Sequence, residues 1–233
     1  MFEEIAEAIL PRVVDYLLTK NPLTSRQEQV QKEFLAELPP TSRKTPHSLI
    51  LAVIGLTGAG KSSVARELVK SIGGTIITGK HIRRALSERG EPPTEAPTIA
   101  EHLMIDILQN GGNAIIDSDH INMDTKHRAR LRQRAAALEA QLVFIEVFCD
   151  FAIAITRIFT VWRENPHSEQ AIDKLLELLN RIPYHYEWRK SQGGAWVRKK
   201  LPFTPFAEIN TSYEGEWKAE AARVAARLLE TKS

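Results

Sequence analysis

Residues 55–62 read Gly-Leu-Thr-Gly-Ala-Gly-Lys-Ser and directly follow the apolar run Leu-Ile-Leu-Ala-Val-Ile. They fit the Walker A pattern GxxxxGK[ST], whose glycines allow a tight turn that aims several backbone N–H groups at one anion. We expect a helix to begin at about residue 61, so that its unpaired N–H groups and positive dipole end face the same anion. The stretch therefore predicts a phosphate-binding loop between a buried strand and a helix.

The motif also predicts which residues bind ATP. The expected nucleotide-binding residues are Gly55, Thr57, Gly58, Ala59, Gly60, Lys61, Ser62 and Ser63. We expect the Lys61 ammonium to reach the β- and γ-phosphates, which makes it a catalytic candidate, and the Ser62 hydroxyl to bind Mg²⁺. ATP and magnesium are therefore the expected cofactors.

A second acidic site follows another short apolar run. Residues 113–117 end in Asp117, and Asp119 comes two residues later. A parallel strand delivers such a carboxylate to the carboxyl edge of the sheet, so we expect Asp117 to join the Mg²⁺ shell, directly or through water. Two interpretations of Asp119 stay open. It is either the general base for an acceptor hydroxyl or the cap of a turn or of the helix beginning near Asp124.

Strands and helices alternate from residue 49 onward, which indicates a parallel sheet covered by helices on both faces. The predicted strands are residues 49–55, 75–78, 114–117, 142–149 and 206–210, and the predicted helices are about residues 61–71, 80–89, 98–110, 125–139, 151–164, 168–181 and 215–230. Residues 184–205 mix aromatic, basic and glycine residues without a clear period. The expected class is α/β, with three layers around a five-stranded parallel sheet.

Composition narrows the possible partners. The formal net charge is only +2, so the overall balance does not call for nucleic acid or an anionic membrane. Cys149 is the single cysteine, which excludes an internal disulfide and a multi-cysteine metal site. The longest apolar run is too short to span a bilayer and the N-terminus does not resemble a secretory signal, so we expect a cytoplasmic protein without membrane contact.

The chain divides at a proline-rich linker that ends near residue 46. Residues 1–46 are predicted to form a helical appendage, with helices over residues 2–18 and from Thr24 to about Leu38, and residues 47–233 are predicted to form the main domain. We favour packing of the appendage on the main domain. A protein partner that binds through residues 1–46 is the alternative.

These motifs resemble the P-loop kinases related to polynucleotide kinase and zeta toxin, a group also described as predicted-kinase or AAA-type ATP-binding domains. The resemblance covers about residues 48–230 and rests on the loop at 55–62, on Ala-Ile-Ile-Asp-Ser-Asp-His at 114–120 and on the arginine-bearing stretch 157–163. It implies a three-layer P-loop NTPase fold. It also implies a phosphotransferase that moves the γ-phosphoryl group of ATP to a small-molecule or nucleotide acceptor.

The resemblance further implies a mobile helical lid over about residues 157–205. Lid arginines of this group neutralise charge on the transferring phosphoryl group, and Arg157 and Arg163 are the catalytic candidates. We favour Arg163, because it lies nearer the predicted turn where the lid begins. The loop after the last strand is placed near adenine, with Thr211 or Ser212 as contacts, although capping of the following helix is the simpler role.

One position departs from the pattern of the group. Its members usually carry Asp-x-x-Arg after the second strand, where Asp takes the acceptor proton and Arg holds the acceptor. Here residues 80–83 read Lys-His-Ile-Arg, so Arg83 is retained and Lys80 replaces the base. A lysine is not a base at neutral pH unless its pKa is strongly depressed. Three explanations stay open: an anionic acceptor attracted by Lys80 and Arg83, transfer of the base role to Asp119, or a regulatory protein that hydrolyses ATP without phosphoryl transfer.

Two basic regions raise the alternative of a polynucleotide end kinase. The arginines of helix 125–139 are spaced by two, which sends Arg128 and Arg132 to one face and Arg130 and Arg134 to another, so ion pairs on a solvated helix are favoured over a nucleic-acid patch. The aromatic and basic residues of 184–205 would either stack bases or pack an irregular segment on the core. Nucleic acid is therefore a partner that we do not favour.

Overall fold

Strands and helices alternate along the chain in the computed structural model, which describes residues 22–37, 43–119, 123–164, 169–190 and 193–230. The helices of this part are α1 (Ser25–Glu37), α2 (Lys61–Ile72), α3 (Gly79–Glu88), α4 (Ala96–Gln109), α5 (Thr125–Ala137), α6 (Phe151–Glu164), α7 (Glu169–His185) and α8 (Glu216–Glu230). Its strands are β1 (Leu49–Ile54), β2 (Thr75–Thr78), β3 (Ala114–Asp117), β4 (Gln141–Phe148), β5 (Tyr186–Arg189), β6 (Ala195–Arg198) and β7 (Ala207–Asn210).

Five strands form one parallel sheet in the order β2-β3-β1-β4-β7. The central strand β1 is buried along its whole length, as expected of an uninterrupted apolar strand that is covered on both faces. Register pairs Asp117 with both Val53 and Thr78, so three strands end at the same edge of the sheet. The expectation of an α/β fold with a five-stranded parallel sheet is confirmed.

Buried apolar side chains form two large cores, one on each face of the sheet, and a third, smaller cluster of Ala52, Ile54 and Phe144. Leu51 and Val53 pack in the core that includes Leu68 of α2 and Val224 of α8. Ile50 points the other way, into the core that includes residues of α3, α4 and α5. Alternate residues of a strand face opposite sides, so an apolar run without alternation requires helices on both sides.

The N-terminal helix α1 packs on the second of these cores. Val30 is fully buried there, with Phe34 partly buried beside it. Polar contacts reinforce the packing, since Gln31 hydrogen-bonds Asp106 of α4 and Glu33 forms an ion pair with Arg89. The helix predicted over residues 2–18 lies outside the described residues, and the division into an appendage and a main domain stays a prediction.

The segment without a clear period contains an antiparallel hairpin. Strands β5 and β6 pair there, with Trp188 opposite Trp196. The two indole rings meet edge to face at 5.6 Å, and Trp196 stacks on Phe151 of α6 at 4.8 Å. Aromatic cross-strand pairs stabilise such short strands. In this structure Trp196 therefore packs against α6, and Trp188 packs on Trp196 and stays about half exposed.

The arginine-rich helix α5 is more buried than its sequence suggests. Arg130 and Arg134 both approach Glu101 of α4, at 3.7 and 2.5 Å, while Arg128 lies over the Phe203 ring. The predicted division of the arginines between faces is therefore correct. The prediction that this helix is solvated is wrong, because Arg128 and Arg134 are buried.

No helix in the described ranges combines the length and the apolar composition needed to cross a membrane.

Candidate active site

The loop between β1 and α2 packs too tightly for a larger residue at its central glycine. Gly58 has φ +89°, a backbone region that strongly favours glycine, and a Cβ atom there would lie 2.7 Å from the carbonyl oxygen of Ala154. The first turn of α2 begins at Lys61, immediately after this loop. The Ser63 and Val64 N–H groups donate to the Gly60 carbonyl oxygen, at 3.0 and 3.1 Å. The N–H groups of Lys61 and Ser62 come before the first helical acceptor, so they and the loop together form a cradle suited to phosphate.

A cavity of about 350 Å³ opens beside the loop, and we call it the phosphate cavity. The sequence-predicted residues that line it are Thr57, Gly58, Gly60, Lys61, Ser62, Ser63, Asp117, Asp119 and Arg157. The Lys61 ammonium lies over the loop and donates to the carbonyl oxygens of Gly55 (2.8 Å) and Leu56 (3.1 Å). Gly55 and Ala59 are buried in the loop itself, outside the lining.

Two oxygen ligands suited to a hard divalent cation meet at one edge of the phosphate cavity. The Ser62 hydroxyl donates to Asp117 Oδ2 at 2.6 Å. Ser62 comes from the first turn of α2 and Asp117 from the end of β3, so the pair follows from the sheet order and the loop. Carboxylate and hydroxyl oxygens of this kind, together with phosphate oxygens, are what Mg²⁺ binds. The residues present therefore fit a nucleotide-bound magnesium ion.

Asp119 is buried, and both of its carboxylate oxygens have partners. Oδ1 accepts the Gly55 N–H at 2.9 Å, Oδ2 accepts from His185 Nε2 at 2.9 Å, and Arg181 Nε lies 3.8 Å from Oδ2. Burial alone would raise the pKa of Asp119. The His185 hydrogen bond and charge, the Lys61 charge and the Gly55 N–H outweigh it and lower that pKa. The carboxylate therefore stays ionised, and it ties the start of the loop to the end of α7.

Arg157 of α6 joins the loop to the segment after β7. Its guanidinium donates to the carbonyl oxygens of Gly58 (3.2 Å) and Thr211 (2.7 Å) and to the Thr211 hydroxyl (3.0 Å). The Thr211 hydroxyl donates in turn to the Ala59 carbonyl oxygen at 2.7 Å. Thr211 is buried beneath the loop. Its predicted contact with adenine stays a prediction.

The other two catalytic candidates lie outside the phosphate cavity. Arg83 lines a neighbouring cavity of about 380 Å³ together with Glu177, Asn180, Arg181 and Tyr184, which we call the α7 cavity. Arg163 lies with Thr156 and Thr160 on the exposed side of α6. Residues six apart on a helix point about 120° away from each other, so Arg157 and Arg163 do not face one site.

Sequence reasoning offered Arg181 of α7 as a third lid arginine, after Arg157 and Arg163, but it missed Glu177 and His185 of the same helix. Glu177 lines both cavities, and His185 holds Asp119. The signal was the spacing of Glu177, Asn180, Arg181 and Tyr184, which at i, i+3, i+4 and i+7 share one face of a helix. His185 had no signal of its own, because the predicted helix ended at about residue 181 and α7 continues through Pro183 to His185.

Comparison with known proteins identifies one family. The model of the family described as AAA domain matches residues 50–180, more than half of the chain. No curated protein matches the sequence.

Solved structures resemble this chain over most of its length. A kinase candidate from Chloroflexus aurantiacus J-10-fl has a TM-score of 0.55 at 13% identity and covers 79% of this chain and 99% of its own. The Mycobacterium tuberculosis APS kinase, solved with AMPPNP and APS, has a TM-score of 0.49 at 18% identity, with coverage of 80% and 99%. A Sinorhizobium meliloti 1021 gluconokinase has a TM-score of 0.47 at 17% identity and covers 81% of this chain and 96% of its own. The first of these likenesses supports a common fold.

Proposed function

The chain belongs to the AAA domain family, and from this premise we propose that it is a P-loop kinase that transfers the γ-phosphoryl group of ATP to an acceptor. In this proposal residues 47–233 form the catalytic domain and about residues 157–205 form its lid. Fold alone would not carry the proposal, since one fold serves many activities.

The observation that carries it is the junction of two cavities. The phosphate cavity contains the loop, Lys61 and the Ser62–Asp117 pair, and the α7 cavity adjoins it, with Glu177 lining both. A protein that only bound or hydrolysed ATP would need the first cavity and a water molecule. A second cavity beside the expected γ-phosphate is what a phosphotransferase requires for its acceptor.

Each residue of the phosphate cavity has a proposed task. The N–H groups of the loop and of the first turn of α2 would hold the phosphates. Lys61 would leave the carbonyl oxygens of Gly55 and Leu56 and bind the β- and γ-phosphates. Ser62 and Asp117 would hold Mg²⁺, which neutralises phosphate charge when bound. Arg157 already rests on the loop, and its guanidinium would stabilise charge on the phosphoryl group in transfer.

The test is phosphoryl transfer from γ-labelled ATP in the presence of Mg²⁺. The purified protein would be incubated with separate pools of metabolites, nucleotides and oligonucleotides, and the labelled products separated. We expect label in one small-molecule pool, and we expect Lys61→Ala to abolish it. Failure of the protein to bind ATP with Mg²⁺ would refute the proposal. ATP binding without label in any pool would favour a regulatory ATP-binding protein instead.

A further inference from the structure

The residues that line the α7 cavity indicate which class of acceptor it binds and which residue receives the acceptor's proton. We propose that this cavity binds a small molecule carrying both an anionic group and a hydroxyl, and that Glu177 takes the proton of that hydroxyl. The inference rests on the proposed function, since it assigns the acceptor side of the same reaction.

Three carboxylates line the two cavities within the described part of the chain. Asp117 accepts the Ser62 hydroxyl, and Asp119 has both oxygens engaged by Gly55 and His185. Glu177 has no hydrogen-bond or ion-pair partner among the described residues, and it alone of the three lines both cavities. It is therefore the carboxylate that is available to accept a proton between the bound ATP and the acceptor.

The α7 cavity also holds a positive charge that its walls do not neutralise. Arg83 makes no hydrogen bond or ion pair with any described residue, although it shares the cavity with Glu177. The two opposite charges thus face one space without pairing across it. A ligand that places an anionic group on Arg83 and a hydroxyl on Glu177 would satisfy both. Asn180, with an amide that both donates and accepts, adds a contact for a further hydroxyl.

The size of the cavity limits the ligand. At about 380 Å³ it lies near the lower end of the range of roughly 300–1,000 Å³ found for small-molecule sites. One wall is aromatic, since Tyr184 lies under the Arg181 guanidinium at 5.3 Å. These dimensions fit a hydroxylated phosphate or carboxylate of metabolite size. They do not call for a polymer.

The proposed step conserves atoms and charge. The acceptor oxygen forms a bond to the γ-phosphorus of ATP while its proton passes to the Glu177 carboxylate. The bond between that phosphorus and the β–γ bridging oxygen breaks, and ADP leaves with the electron pair. Glu177 then releases the proton to solvent. Lys80, which also lines the phosphate cavity, would contribute positive charge and no base.

The acceptor class is tested by calorimetric binding in the presence of Mg²⁺ and a non-hydrolysable ATP analogue, which fills the phosphate cavity. The probes are glycerol 3-phosphate and gluconate, one phosphate and one carboxylate, with glycerol and glucose as neutral counterparts. We expect at least one anion to bind about tenfold or more tightly than its neutral counterpart, since the anion adds a charge-assisted hydrogen bond to Arg83. Arg83→Gln should remove that preference.

The outcomes separate the two proposals. Equal binding of anions and neutral counterparts, or analogue binding without binding of any probe, would overturn the acceptor class and leave phosphoryl transfer standing. A protein that does not bind the analogue would overturn the proposed function itself. Which anion binds distinguishes a phosphate from a carboxylate acceptor.

Glu177 is tested with the isosteric variant Glu177→Gln, assayed with the anion that binds or with the pool that accepts label. We expect kcat to fall by about 100-fold or more, while the affinities for the analogue and the acceptor change by less than about twofold. Glu177→Asp should recover part of the rate. Glu164→Gln is the matched control, because Glu164 is exposed and lines neither cavity.

Two results would contradict the role of Glu177. One is a wild-type kcat in Glu177→Gln. The other is a loss of analogue binding and of thermal stability in parallel with the loss of rate, which would indicate a structural role. Loss of a purely structural residue would not reduce kcat while leaving binding unchanged.

Discussion

His185 Nε2 lies 2.9 Å from Asp119 Oδ2, and the two side chains are only 4% and 2% exposed. Through this bond the end of α7 contacts the residue that accepts the Gly55 N–H. The position of α7, and with it the α7 cavity, is therefore set from the same carboxylate that fixes the start of the phosphate-binding loop.

We expect Asp119 and His185 to be energetically coupled. Asp119→Asn and His185→Gln should each lower the free energy of unfolding by about 1–2 kcal/mol, because each replaces the charge-assisted hydrogen bond of a buried pair with a weaker neutral one. In the double variant the total loss of unfolding free energy should be smaller than the sum of the two single losses by at least about 1 kcal/mol. Urea unfolding at neutral pH measures this cycle, with the exposed His47→Gln as control. Strictly additive losses would contradict the coupling.

Gly58→Ala should destabilise the loop more than the same change at an unconfined glycine. A Cβ at Gly58 meets the Ala154 carbonyl at 2.7 Å, whereas Gly90 also has positive φ but nothing within 4 Å. We expect a loss of about 2–4 kcal/mol for Gly58→Ala, from backbone strain and overpacking, and of about 1 kcal/mol for Gly90→Ala. Denaturant unfolding of the two variants gives the difference. Equal losses would show that α6 yields to the added methyl group.

The Ser62–Asp117 pair should set the Mg²⁺ concentration that nucleotide binding requires. Ser62→Ala and Asp117→Asn are expected to raise the Mg²⁺ concentration for half-maximal binding of a fluorescent ATP analogue by about tenfold, with little effect in the absence of Mg²⁺. Ser87→Ala, at an exposed site on α3, is the control. An unchanged Mg²⁺ titration would place the cation elsewhere.

Substitution of Arg157 and of Arg163 should show which of the two arginines contributes to phosphoryl transfer. Its nearness to the predicted turn at the start of the lid favours Arg163 as the catalytic arginine. In the structure, however, Arg157 contacts the loop through Gly58, and Arg163 lies on the exposed side of α6. We expect Arg157→Ala to reduce phosphoryl transfer by about 100-fold or more and Arg163→Ala to reduce it by less than about threefold. The reverse order in a transfer assay would indicate that α6 turns toward the site during the reaction.

The Tyr186 phenol should ionise at a higher pH than an exposed tyrosine. Burial is the main cause of its pKa of about 12, and its hydroxyl donates to the Cys149 carbonyl oxygen. Since the folded pKa lies above the unfolded value of about 10, the associated stability is complete below pH 10 and is lost as pH rises toward 12. Tyr186→Phe should flatten this alkaline loss of stability. Ultraviolet titration of the phenolate, with Tyr213→Phe as the exposed control, checks the assignment.

The sequence predicted well wherever a local pattern has one structural outcome. The apolar run before Gly55 and the Walker A glycines determine a strand, a loop and a helix start without distant contacts. The hairpin of β5 and β6 was not predicted, because each strand has only four residues and depends on Phe151 of α6. Glu177 and His185 were missed because their roles arise from the distance between α7 and the loop, which only the packed fold defines.

The sheet order has a consequence for synthesis on the ribosome. Strand β1 pairs with β3 and β4, whose residues follow it by more than 60 and 90 positions, as in Ile50 with Ala114 and with Leu142. An emerging chain therefore presents a fully apolar six-residue strand well before either neighbour is available. Such delayed pairing is where a nascent chain is open to aggregation. Chaperone binding should accordingly concentrate on chains stalled between β1 and β4.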